Sequence, residues 1–201
     1  FIGNYSSGKM GYAIANELSA CGAKVTLVSG PVQIKNINSG IEIIQVESAS
    51  QMHGQCLRIF PVADGAVMCA AVADFTPESY SENKLKRGND DLIIHLKPTN
   101  DIAGDLGRIK TSKQILVGFA LETNDELINA YSKLKRKNLD FIVLNSMKDA
   151  GSGFEVDTNK ITIIDKDNNQ TFFELKSKTE VAKDIVAQIM SEMDLNERFQ
   201  D

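Results

Sequence analysis

Three short runs, residues 65–71, 115–120 and 141–145, carry almost no polar side chain. A strand that is apolar on both faces must be covered on both faces, which a parallel sheet achieves with helices on either side. Between the second and third runs, residues 125–137 have the mixed apolar and charged pattern of an amphipathic helix. The same alternation begins earlier. Residues 9–21 set Met10, Ile14 and Leu18 on one helical face and stop at Gly22. Residues 24–28 and 41–46 read as strands, the first running into Ser29-Gly30-Pro31, and 50–60 reads as a helix. Strands and helices in this order imply an α/β fold with a doubly wound, mainly parallel sheet.

Two segments depart from that order. Residues 91–96 alternate between a charged loop and Pro98, as a hairpin or arm outside the main sheet would. Residues 161–164 and 171–175 flank a polar, turn-rich stretch and read as an antiparallel hairpin. Residues 178–193 close the chain as a helix. No internal repeat or linker interrupts the 201 residues, enough for one substantial core, so 1–201 is expected to be a single domain. Phe1-Ile2-Gly3 reads like the end of a strand already under way, so an N-terminal strand is expected to be truncated.

Composition removes several classes. The net charge is −5, so no global basic field draws nucleic acid, and any anion site must be built locally. Cys21, Cys56 and Cys69 have no paired spacing, which argues against a disulfide framework or zinc knuckle and fits a reducing compartment. No apolar run approaches the roughly 20 residues of a membrane helix. His53 and His95 have no Cys, Asp or Glu at ligand spacing and read as structural or exposed.

Four segments could carry chemistry. The loop Asn4-Tyr5-Ser6-Ser7-Gly8-Lys9-Met10-Gly11 leads into the first helix. Its small residues could bring backbone N–H groups to an anion at a helix N-terminus, or it could be a plain helix start with serine as the cap. It lacks the Gly-Lys-Ser/Thr ending of a P-loop. Asp74, in Ala70-Ala71-Val72-Ala73-Asp74-Phe75, follows a buried strand, where ligands of open α/β sheets bind; a turn or cap would also suit it. Lys84, Lys86 and Arg87 could neutralise a polyphosphate or simply form a solvated loop. Lys133 and Lys137 lie four apart late in a helix, where cations also suit the dipole.

Taken in order, Asn4-x-Ser6-Ser7-Gly8-Lys9-Met10-Gly11, Val28-Ser29-Gly30-Pro31, Ala70-Ala71-Val72-Ala73-Asp74, Lys84-x-Lys86, Gly118-Phe119-Ala120-x-Glu122-Thr123, Lys137-Asn138-Leu139-Asp140, Asn145 and Gly153-Phe154 resemble the bacterial phosphopantothenoylcysteine synthetases over nearly the whole chain. The resemblance implies a Rossmann-like fold with an extra antiparallel dimerisation arm, here 91–96, and a cytoplasmic homodimer. It implies a ligase of coenzyme A biosynthesis that joins 4′-phosphopantothenate to cysteine through an acyl-cytidylate made from CTP. CTP would arrive with Mg²⁺, whose ligands are unassigned, and no flavin is expected in this domain. In many bacteria the domain is the C-terminal half of a fusion with a flavin-dependent decarboxylase, so a fused or associated decarboxylase is an expected partner.

Residue by residue, the resemblance makes Asn4 and Lys84 the catalytic pair, Asn4 holding the acyl-nucleotide carbonyl. Asn4, Ala70, Ala71 and Asp74 fall at substrate-binding positions. Nucleotide binding falls on Ser6, Ser7, Gly8, Met68, Cys69, Ala70, Asp74 and Lys84, and further on Asn100, Asp101, Ile102, Ala103, Phe119, Lys133 and Lys137. The segment Pro98-Thr99-Asn100-Asp101-Ile102 departs from the family order, in which proline immediately precedes the aspartate. An arginine that the partner subunit contributes in the family would fall before Phe1. Two other readings remain open: a nicotinamide-dependent oxidoreductase and a non-catalytic nucleotide-binding module. Against the first, Ser29-Gly30-Pro31 follows the second strand where a ribose-binding acid is expected.

Overall fold

The computed structural model describes residues 6–34, 36–79, 83, 91–122, 124–146 and 157–198. Its elements are α1 (Lys9–Ala20), β1 (Thr26–Ser29), β2 (Glu42–Gln45), α2 (Ala49–Ile59) with a 3-10 turn (Phe60–Val62), β3 (Gly65–Met68), β4 (Phe75–Pro77), β5 (Leu96–Pro98), α3 (Ile102–Ile109), β6 (Ile115–Glu122), α4 (Glu126–Arg136), β7 (Phe141–Ser146), β8 (Thr158–Asn159), β9 (Ile161–Asp165), β10 (Gln170–Phe172), β11 (Lys176–Ser177) and α5 (Lys178–Arg198). The main sheet runs β10-β9-β7-β6-β3. β3, β6 and β7 are parallel, β9 and β10 antiparallel. β1 and β2 form a separate parallel pair. The expected α/β class with a mainly parallel sheet is present.

The period-two alternation of a strand divides the core in two. Ile115 and Val117 of β6 and Phe141 and Val143 of β7 face a cluster with α1 and α5. Leu116, Ala120, Ile142 and Leu144 face the opposite cluster, with Ile102 and Leu106 of α3 and Ala130 and Leu134 of α4. Each fully buried aliphatic side chain contributes roughly 1.5–3 kcal/mol, so both faces of the sheet are fixed and its register with them.

Two helices end in the same kind of turn. After α1, Gly22 takes φ 91°, Gly22 N–H donates to Ser19 O and Ala23 N–H to Leu18 O, which is a Schellman stop. After α4, Asn138 takes the same role at φ 52°: its N–H donates to Lys135 O and that of Leu139 to Leu134 O. Buried Leu139 then packs in the cluster that holds Leu134.

Several expectations need correcting. The expected strand 91–96 does not form: β5 begins at Leu96 and pairs with β4. Pro77 and Pro98 sit in the non-hydrogen-bonded pairs of this ladder, where no N–H is needed, and Thr99 N–H to Asp74 O and Glu78 N–H to His95 O flank it. Among the described residues the alternation of 91–95 meets no partner strand, and Leu92, Ile93 and Ile94 stay exposed. The hairpin 161–164 with 171–175 forms as β9 and β10 but extends the main sheet, because Ile161, Ile163 and Ile164 are all buried. The strand 65–71 stops at Met68. α2 starts one residue early, capped by a reciprocal Ser48–Gln51 box. α3 was not expected, although Asp101 as N-cap before Ile102, Leu106 and Ile109 is a legible start.

Candidate functional site

Beyond the end of β3 the chain keeps its alternation with no sheet partner among the described residues. Met68, Ala70, Val72 and Asp74 line a cavity of about 350 Å³. Cys69, between them, packs instead against the cluster of α1 and α5, where burial pushes its thiol up to about 12 despite the nearby Lys178 charge. Ala71 does not line the cavity. Gly118 and Phe119 of β6 line it, with Met52 of α2 and Leu139 after α4.

The first turn of α3 makes another wall, from Thr99 to Ala103. It is strapped to the β3 side: Thr99 Oγ1 donates to Ala73 O at 2.7 Å, beside the Thr99–Asp74 backbone bond. Asp101 caps α3 by accepting from Gly104 N–H at 3.1 Å and also accepts from Lys137 Nζ at 2.6 Å. Partial desolvation pulls its carboxyl upward, but the Lys137 and Gly104 hydrogen bonds and the Lys137 and Arg136 charges outweigh this. Its pKa stays below the ordinary carboxylate value.

The last turns of α4 bring Lys133, Arg136 and Lys137 to the same cavity. Desolvation lowers the Lys133 pKa, as do Lys137 and Arg136; Glu122 and Asp74 act the other way. α4 is held against α3 at very short range. Asn138 Nδ2 donates to Gly107 O at 2.8 Å, and a Cβ on Gly107 would overlap the Lys137 carbonyl. The result is an amphiphilic cleft, apolar along β3, β6 and α2 and cationic along α4. Such a cleft suits a flat ring joined to phosphate groups.

Ten of the positions assigned to nucleotide binding therefore meet in one place: Met68, Ala70 and Asp74, then Asn100 to Ala103, then Phe119, Lys133 and Lys137. Ser6, Ser7 and Gly8 do not line it. They stand at the start of α1, whose N-cap is Gly8 at φ 74° with no side-chain cap, so neither serine caps the helix in the expected way. A side chain at Gly8 would also meet Val32 Cγ1 at 2.9 Å. Asn4, Lys84, Lys86 and Arg87 lie outside the described residues, as do Thr123, Gly153 and Phe154. The sequence reading missed Arg136, whose spacing of three from Lys133 on a helix was a signal, and Val72, which the alternation 68, 70, 72, 74 would have found. His53 takes the structural of the two roles expected for it. It is mostly buried and bonded to Asp105, 52 positions away, a pairing no local spacing reveals.

Among the described residues, no cluster of three or more His, Cys, Asp or Glu side chains could hold a metal ion. Nor is any helix there long and apolar enough to cross a membrane. The family model described as DNA/pantothenate metabolism flavoprotein C-terminal domain matches residues 1–193. The chain belongs to this family. A cysteine/cysteine sulfinic acid decarboxylase of an unknown prokaryotic organism is 56% identical over 191 residues, 95% of this chain and 53% of that protein. The coenzyme A biosynthesis bifunctional protein CoaBC of Bacillus subtilis (strain 168) is 42% identical over 189 residues, 94% of this chain and 46% of that protein. The chain thus spans about half the length of the curated relatives it matches. The crystal structure of the C-terminal domain of a CoaBC superposes with a TM-score of 0.79 at 37% identity, covering 96% of this chain and 86% of that one.

Proposed function

We propose that this chain is a phosphopantothenate–cysteine ligase domain of coenzyme A biosynthesis. The observation that carries the reading is the cleft of Lys133, Arg136 and Lys137 facing an apolar floor beyond β3, in a chain 42% identical to a CoaBC. A carboxylate is a poor electrophile because its leaving group would be oxide. In the first step a carboxylate oxygen of 4′-phosphopantothenate attacks the α-phosphorus of CTP, and pyrophosphate leaves. In the second the cysteine amine attacks the acyl carbon, CMP leaves and the amine loses a proton. Charge that builds on the transferred phosphate is met by α4 cations already in place, and preorganised groups of this kind are worth about 10²–10³ in rate each.

CTP is the nucleotide proposed. The Ala70 wall offers backbone and a small side chain to a pyrimidine edge. Mg²⁺ would enter on the triphosphate, keeping most of its water, and would take Asp74 as its protein ligand; Asp101 is committed to Lys137 and to capping α3. Bound there, the ion would neutralise phosphate charge. Lys84 is assigned to the triphosphate and Asn4 to the acyl oxygen. Ser6, Ser7 and Gly8, at the start of α1, suit a second anion. The domain is proposed to act in the cytoplasm as a homodimer joined through 91–96. A flavin-dependent decarboxylase is proposed to supply the rest of the length that its relatives have.

The test separates the two steps by measuring pyrophosphate, acyl-cytidylate and amide in the purified protein. Lys84→Gln is expected to slow pyrophosphate release even without cysteine. Asn4→Asp is expected to form the intermediate but pass it poorly to cysteine. Normal pyrophosphate release in the first variant, or normal coupling in the second, refutes the division of labour. No pyrophosphate from the wild type with CTP and 4′-phosphopantothenate refutes the ligase reading.

A further inference from the structure

Asp157 ties the first residues of two helices together. Its carbonyl accepts from Lys178 N–H at 2.9 Å, at the start of α5, and its carboxylate accepts from Lys9 Nζ at 2.5 Å, at the start of α1. The side chains of Lys9 and Asp157 are 43% and 83% exposed, whereas Lys178 is only 7% exposed. The Lys178 charge acts on Lys9, on Asp157 and on the buried Cys69 thiol, so its ammonium lies among these three.

Three effects oppose a cation in that place. Burial disfavours the charged form, the Lys9 charge repels it, and the first turn of a helix is the end where the dipole favours anions. Asp157 and Cys69 act the other way, but burial and Lys9 outweigh them and hold the Lys178 pKa below that of an ordinary lysine. Charges kept at a cost to the fold gather at functional positions. An anion arriving at the start of α1 would meet the positive end of the helix dipole, Lys9 and Lys178 together.

A second observation on the same face points to a ligand. Asn145 of β7 and Asn159 of β8 are 9% and 3% exposed, and Oδ1 of each has no hydrogen-bond partner among the described residues. Asn159 stands against the first turn of α1, its Nδ2 3.7 Å from Met10 Sδ, and Asn145 follows by two Val143, which faces α1 and α5. Buried acceptors of this kind call for a donor, which a hydroxyl or amide N–H of a phosphate ester would supply.

We propose that Lys178 is a further substrate-binding residue, which with Lys9 and the first turn of α1 takes a phosphate group of one substrate. The inference rests on the ligase reading given above, in which two substrates bring phosphate: CTP through its triphosphate and 4′-phosphopantothenate through its ester.

The experiment is calorimetric titration of CTP and of 4′-phosphopantothenate into the wild type, Lys178→Met and Lys9→Met, with thermal denaturation of each. Methionine keeps much of the length of lysine without the charge, so Lys178→Met relieves the burial cost and Tm is expected to hold or rise. Affinity for at least one ligand is expected to fall about tenfold or more, as loss of a charge-assisted hydrogen bond implies. A loss confined to CTP assigns the triphosphate, and one confined to 4′-phosphopantothenate assigns its phosphate. Loss of both with Tm held also supports the proposal. A lowered Tm with both affinities weakened alike marks a structural residue and overturns it. Unchanged affinity for every ligand that the wild type binds overturns it too, while the ligase reading stands. Should Lys178→Met fail to melt cooperatively, Lys9→Met, a change at an exposed side chain, decides by the same criteria. A wild type that binds neither ligand overturns both this proposal and the ligase reading.

Discussion

Replacing Gly107 by alanine separates two effects of opposite sign. Gly107 lies within α3, where alanine is the better helix former by about 0.8–1.0 kcal/mol. If helix propensity ruled, the variant would be more stable. The structure argues otherwise. An added Cβ would overlap the Lys137 carbonyl oxygen, lie 2.8 Å from its carbon and 3.3 Å from Asn138 Cβ. The obstacle is mainly backbone at a Schellman turn and cannot rotate away. Overpacking typically costs about 1–3 kcal/mol. Moving α3 aside also strains the Asn138 to Gly107 hydrogen bond, worth about 1 kcal/mol. The net expectation is a loss of about 1–3 kcal/mol, which for a domain of this size lowers Tm by roughly 2–12 °C. The Asp101–Lys137 pair spans the same joint, so CTP affinity should fall with it. Gly54 in α2 is the control: a Cβ there meets nothing within 4 Å, so Gly54→Ala should stabilise by about 0.5–1 kcal/mol. The assay is thermal denaturation followed by circular dichroism. A Tm rise in Gly107→Ala matching that of Gly54→Ala would refute the steric argument.

Two more outcomes are expected at the cleft and the arm. Lys133 titrates below an ordinary lysine, so the free protein loses this charge early as pH rises, and CTP affinity should weaken as pH climbs through that lowered value; Lys133→Arg should flatten the alkaline limb of a titration series, and an unchanged limb would remove Lys133 from the anion site. Leu92, Ile93 and Ile94 are 68%, 76% and 56% exposed, so Leu92→Ser with Ile94→Ser should turn a dimer into a monomer by sedimentation velocity at micromolar concentration, whereas a wild type that is itself monomeric would refute the arm.

What the sequence made legible depended on how local the determining physics was. Buried β6 and β7 announced themselves because apolar runs covered on both faces leave no room for polar residues. The stop at Gly22 was legible because only a residue tolerant of positive φ closes that turn cheaply. α3 was missed because its signal is a single cap and one apolar stripe over eight residues, close to a charged loop. The strand expected over 91–96 is absent from the single chain for a deeper reason. Alternation in 91–96 states which side chains could share a face, but a strand exists only where another backbone meets its hydrogen bonds, and that partner is not written into the segment. The cleft shows both limits together. Its strand wall follows a period of two and could be read from Met68 to Asp74. Its cationic wall depends on Lys137 reaching Asp101 across 36 positions, a contact set by how closely Gly107 lets α3 approach α4. Pairwise spacing carries no trace of such contacts, and the His53–Asp105 pair belongs to the same kind. The residues that position a ligand are therefore harder to read than those that hold the sheet, because tertiary packing places them and no local period repeats them.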